Sequence, residues 1–183
     1  MLAAAGAERP INYVWLGAFA GSLIRPVGGM LADRFTGSVV SFWNFVAMTV
    51  ASAVVLVASR ADSIPVFVIV FTLLFVLTGI GNGSVYKMIP AIFHAEVTTR
   101  LGADADPAAQ RFQARRLASA LVGVAGAIGA FGGVLVQLAF RQSFLSLGTG
   151  TAAYTGFIVF YAVCAVVTYV VYIRKSESSL VGV

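Results

Sequence analysis

Five continuous apolar runs divide this 183-residue chain, at approximately 11-32, 39-59, 64-93, 115-140 and 151-173. Each is near or above the roughly 20 residues that an α-helix needs to cross about 30 Å of hydrocarbon. In that solvent every backbone N–H and C=O must be satisfied internally, so only helices and closed barrels can span it. Barrel strands are alternating segments of about 10 residues, whereas these runs are unbroken and rich in Gly, Ala and Val. The pattern predicts an all-α, polytopic transmembrane bundle of about five helices. Composition agrees: with 60% hydrophobic and 10% charged residues, the chain lacks the polar surface of a soluble domain this long. Met1 to Arg9 is short and Ala-rich and carries Glu8 and Arg9, so no removable signal peptide is expected.

Several function classes are disfavoured at once. Cys164 is the only cysteine and lies in an apolar run, which excludes an intrachain disulfide or a cysteine cluster. The single histidine, His94, has no partner acid and nucleophile, and there is no metal-ligand spacing. Neither an enzyme nor a metal or other cofactor is expected. The net charge of +5 comes from basic residues scattered between apolar runs. That is not the clustered patch of a nucleic-acid binder, and membrane lipid is the expected surroundings.

Connections between runs are short except at 94-114, which holds Glu96, Arg100, Asp104, Asp106, Pro107 and Arg111 and reads as a polar loop. Strict alternation of five spans puts Arg34, Arg100, Arg111, Arg115, Arg116, Arg174 and Lys175 on one side, and Arg9, Arg60 and Arg141 on the other. The positive-inside rule makes the first side cytoplasmic, with the N-terminus outside and the C-terminus inside a cell (inner or plasma) membrane. An odd number of spans starting outside is unusual for a complete transporter, and a fragment is expected.

The first run contains Arg25-Pro26. At about 1.5 Å per residue Arg25 lies roughly 12 Å above Asp33, close to the bilayer midplane. Arginine keeps its proton, so it must meet an anion, line a water-filled cavity or snorkel to the interface. Pro26 removes a helical hydrogen bond and could open carbonyls toward a cavity. A guanidinium fork suits a small planar oxyanion such as nitrate, nitrite or a carboxylate. None of the seven acidic residues lies well inside an apolar run, so no buried carboxylate is expected to neutralise Arg25 or relay protons. Pairing with another helix or snorkelling is the structural alternative.

The third run reads Gly79-Ile80-Gly81-Asn82-Gly83-Ser84-Val85-Tyr86-Lys87. Its glycines permit close helix approach or leave room for substrate, and Asn82, Ser84 and Tyr86 add hydrogen-bonding groups. Lys87 lies about 10 Å from the end of its run, where snorkelling is easy. The fourth run has glycines at 123, 126, 129, 132 and 133, a bare stripe that packing alone could explain. Asn44 needs a partner inside the bundle.

Gly29-Met30-Leu31-Ala32-Asp33-Arg34-Phe35-Thr36-Gly37 resembles the loop motif that follows the second and eighth helices of the major facilitator superfamily. Thr36 stands where glycine is usual, and the basic residues that normally follow are missing. The resemblance implies a gating role for Gly29, Asp33, Arg34 and Gly37, with Asp33 near the N-terminus of helix eleven beside Arg115 and Arg116. Ser22 to Gly29 is similar to helix eight of the nitrate/nitrite porters, whose arginine is one of two that clamp the anion; Gly79 to Phe93 resembles their helix ten and Gly123 to Val134 their second nitrate signature on helix eleven. These matches imply a partial major facilitator fold, helices eight to twelve, as one C-terminal unit over 1-183. They imply transport of nitrate or nitrite by alternating access, with Arg25, Gly126, Gly129, Asn82 and Ser84 as substrate-binding residues. The implied partner is the N-terminal half of a transporter. A porter for another small anion, or a non-transporting membrane module, are the alternatives.

Overall fold

The computed structural model describes residues 11–102 and 105–174. The order is α1 (Ile11–Leu23), α2 (Arg25–Phe35), α3 (Gly37–Arg60), α4 (Ile64–Leu101), α5 (Pro107–Leu147) and α6 (Thr151–Thr168), continued by a π-helical turn at Tyr169–Ile173. Among the described residues no strand occurs. Four elements are long and apolar enough to cross a membrane: α3, α4, α5, and α6 with its π turn. The chain is a multi-pass membrane protein.

The first apolar run is two helices rather than one. Pro26 has no N–H, so the carbonyl of Ser22 loses its donor, and Val27 and Gly28 both bond back to the Ile24 carbonyl at 3.0 and 3.3 Å. The i−4 ladder is therefore interrupted at Ile24, one residue before Arg25.

The expected loop at 94-114 is mostly helix. α4 runs on through Leu101 and α5 begins at Pro107, leaving only residues 102–106 between them. The polar character of this segment arises because both helices outgrow the bilayer. At 38 and 41 residues they are about 57 and 62 Å long, against a hydrocarbon core of about 30 Å. Local chemistry holds the polar extensions helical. Arg100 Nε donates to Glu96 Oε1 at 2.6 Å, one turn apart. Asp106 caps α5 by accepting from the Ala108 N–H at 3.0 Å, with Pro107 at the first helical position, and Gln110 Nε2 donates across the turn to the Gly102 carbonyl at 2.8 Å. A cap, proline at N1 and an i, i+4 ion pair are the standard devices for starting and ending helices in water.

α4 is central, packed against α1, α2, α3 and α5, while α3 joins α2, α4 and α6. Their contact is seeded by small residues: Ser38, Ser41, Asn44, Ala51, Ser52, Val55 and Ala58 of α3 are all buried. With no hydrophobic drive between helices in lipid, such residues let backbones close and supply hydrogen bonds. α5 differs. It is buried near its start at Gln110, Ala114 and Ala118 and near its end at Ser143, and its middle faces open space.

α2 turns into α3 through Thr36 at φ 69°, ψ 143°. That region is nearly glycine-only, and holding a β-branched residue there costs of order 1–3 kcal/mol. The departure from glycine noted in the motif is thus a strained position. Thr36→Gly should raise the thermal midpoint of the detergent-solubilised chain; the gain should be about 1 kcal/mol once the greater freedom of unfolded glycine is offset. An unchanged or lower midpoint would contradict the strain.

Candidate functional site

The break between α1 and α2 lies against the glycine-rich part of α4, and the two backbones touch. A Cβ at Gly79 would overlap the Gly21 carbonyl, one at Gly83 the Arg25 carbonyl, and one at Gly28 the Ile80 carbonyl. A Cβ at Gly21 would stand 2.8 Å from the Phe75 carbonyl oxygen. Both helices therefore contribute glycine, and each glycine admits a carbonyl of the other, a geometry that brings Cα–H groups to carbonyl oxygens.

Beside this contact opens a cavity of about 250 Å³ lined by Ser22 and Arg25 of the broken helix and by Phe75, Thr78 and Asn82 of α4. Arg25 is exposed in the bundle. Among the described residues no acid pairs with it: Asp33 is held by Lys87, Glu96 by Arg100, and Asp106 caps α5. Thr78 spends its hydroxyl proton on the Leu74 carbonyl of its own helix at 2.8 Å. The half-buried Asn82 and the exposed Ser22 line the same cavity as Arg25 and can offer it an amide and a hydroxyl donor. A cation and neutral donors around a small cavity, with no carboxylate among them, have the chemistry to receive an anion.

Of the residues expected from sequence, Arg25 and Asn82 meet in this cavity. Ser84 does not. It is wholly buried, shares a hydrogen bond with Ser41 Oγ of α3 at 3.0 Å and donates to the Gly81 carbonyl. Gly126 and Gly129 face open space, and Gly129 lines a second cavity of about 920 Å³ with the aromatic side chains of α4 and α6. Ser52, whose buried Oγ has no hydrogen-bond partner among the described residues, lines the same cavity. Asn44 is buried as expected, but its Nδ2 reaches only the Met48 sulfur of its own helix, at 3.4 Å, and lies against Gly81.

In the loop motif, Gly37 packs on Met88, Arg34 lies over the Phe35 ring at 5.4 Å, and Gly29 has open space beside it. Asp33 was expected beside Arg115 and Arg116; instead Lys87 Nζ of α4 donates to Asp33 Oδ2 at 2.9 Å. The close approach of α2 to α4 brings the lysine stem within reach, and its ammonium moves to the wet end of the helix where the aspartate waits. The sequence marks Lys87 only as a snorkelling residue, and nothing in its pattern singles out Ser22 or Thr78 as sharing a cavity with Arg25. An acid at the end of one span and a base short of the end of another were the available signal for the pair.

No family model matches the chain. Among curated proteins it is 36% identical over 171 residues to the nitrate/nitrite transporter NarU of Salmonella typhimurium, covering 90% of this chain and 37% of that protein. It belongs to the NarK-type nitrate/nitrite porter family. Against NarU of Escherichia coli the identity is 33% over 174 residues, 92% of this chain and 37% of the relative. Against the probable nitrate/nitrite antiporter NarK2 of Thermus thermophilus it is 28% over 173 residues, 93% of this chain and 34% of the relative. The chain therefore spans little more than a third of the length of the porters it matches.

Within this porter-family bundle the Ser41–Ser84 bond ties α3 to α4 away from the cavity. Ser84→Ala should lower the stability of the solubilised chain by about 1 kcal/mol by leaving Ser41 without its partner. A thermal midpoint equal to the parent's would show that the bond carries nothing.

Proposed function

We propose that this chain is the C-terminal portion of a nitrate/nitrite porter and that Arg25 binds the anion. The observation that carries the reading is an unpaired guanidinium in the cavity it shares with Asn82, at the break of a membrane helix. An arginine at that depth is expensive unless a water-filled cavity or an anion receives it, and among the described residues Asp33, Glu96 and Asp106 are engaged elsewhere and no acid lines the cavity. A planar oxyanion can accept two parallel N–H bonds from the guanidinium, with the Asn82 amide supplying a further donor. The relatives' names, nitrate/nitrite transporter and antiporter, agree with that chemistry.

The missing length is supplied in this reading by an N-terminal half that brings a second cation and closes the site from the far side. The open middle of α5, including Gly126 and Gly129, has the small-residue surface on which two halves can rock in alternating access. By alternation of the spans Arg34, Arg100, Arg111, Arg115, Arg116 and Arg174 fall on one side, and in this reading the positive-inside rule makes that side cytoplasmic, with the start of α1 on the outer side of a cell membrane.

The test is nitrate uptake into vesicles from cells co-expressing this chain with an N-terminal porter segment. The pair should take up nitrate, the chain alone should not, and Arg25→Lys should raise the apparent KM at least tenfold, since lysine keeps the charge but loses the fork. Uptake by the Arg25→Lys pair with the parent's KM would remove Arg25 from the site.

A further inference from the structure

We propose that Gly83 and Gly79 of α4 are positioning residues for Arg25: by admitting the carbonyls of Arg25 and Gly21 they fix where the guanidinium stands. The inference rests on the reading that Arg25 holds the anion. An arginine side chain has many rotamers, and its placement is only as good as the backbone that carries it. Here that backbone is weakened at the decisive point. The ladder is interrupted at Ile24, Pro26 donates nothing, and two successive N–H groups share one carbonyl. Left alone, such a break is a hinge.

α4 removes that freedom from the outside. Gly79 seats the carbonyl of Gly21, before the break, and Gly83, one turn further along α4, seats the carbonyl of Arg25, after it. The two halves of the broken helix are thereby registered on one continuous helix, α4. From the other side, Gly28 seats the Ile80 carbonyl between those two points, so sliding along the helix axis would drive a carbonyl into a neighbouring residue. Asn82 lies between Ile80 and Gly83 on α4, so the surface that fixes Arg25 also carries the other donor of the cavity, and the spacing of the two donors is set by this contact. The nearest atom to each of Gly79 and Gly83 is a main-chain carbonyl oxygen, which cannot swing aside as a side chain could.

A methyl group at Gly83 must push the Arg25 backbone away and so shift the guanidinium within the cavity it shares with Asn82. In the co-expression vesicles, Gly83→Ala should raise the apparent KM for nitrate about tenfold, the equivalent of one weakened charge-assisted hydrogen bond. The maximal rate per folded transporter should stay within about twofold, and Gly156→Ala, whose Cβ meets open space in α6, should change neither. If Gly83→Ala does not accumulate, Gly21→Ala offers a milder approach, 2.8 Å to the Phe75 carbonyl oxygen, and should shift KM in the same direction. An unchanged KM in the folded glycine variant, alongside a raised KM in Arg25→Lys, overturns the positioning role and leaves Arg25 as the anion site. An unchanged KM in Arg25→Lys overturns the reading of the site itself.

Discussion

The contact on which the rest depends is backbone against backbone: the broken first span lies on α4 with glycine at each crossing point. In lipid there is no hydrophobic gain from bringing two apolar helices together, so association has to come from close packing and weak polar contacts. Replacing side chains by hydrogen at Gly21, Gly28, Gly79 and Gly83 achieves the closest approach available. It also resolves a conflict created by Pro26. A proline that interrupts a helix in the membrane exposes carbonyls that lipid cannot satisfy, and burying part of the break against α4 while the rest lines a cavity is a stable outcome.

The same arrangement explains why Arg25 remains unpaired. The acids of the described chain lie toward helix ends, and each of three has an occupant: Lys87, Arg100 or a helix N-terminus. The Asp33–Lys87 pair is more than half exposed on both sides, so its contribution to stability is small. Its consequence for the site is larger than its energy, because it keeps a carboxylate on α2 and an ammonium on α4 engaged with each other, away from the guanidinium. What remains in the cavity is net positive and rich in donors.

The architecture was legible in the sequence where physics leaves one solution. Twenty-odd apolar residues in lipid must be helix, and all five runs are. Arg25 could be singled out because charge at that depth is rare whatever surrounds it. The helical ends at 94–101 and 107–114 were hidden because their polarity resembles a loop, although the Asp106-Pro107 cap, Gly102 and the Glu96–Arg100 spacing were present to be read. The role of the α4 glycines was undetermined, since alternate glycines serve packing and substrate equally well until the opposing carbonyls are located. Ser84 misled for a related reason. It sits two residues from Asn82, and on a helix that separation turns it about 200° away, toward α3 and Ser41. The Thr36 strain had a visible signal, a β-branched residue where the motif has glycine, but only the backbone angles give it a sign.

The central claim is that the cavity at the α1–α2 break is where the anion sits. Ser22 lines it beside Arg25 without belonging to the cation itself, so a thiol placed there reports occupancy while leaving the guanidinium intact. With the native Cys164 replaced by serine and Ser22→Cys introduced, the decisive measurement is the rate of labelling by a water-soluble thiol reagent in co-expression membranes, with nitrate or an equal concentration of chloride. The account predicts slower labelling in nitrate, with half-protection near the KM for uptake, and no protection from chloride. Labelling at the same rate in both salts, in membranes that transport nitrate, would place the anion elsewhere.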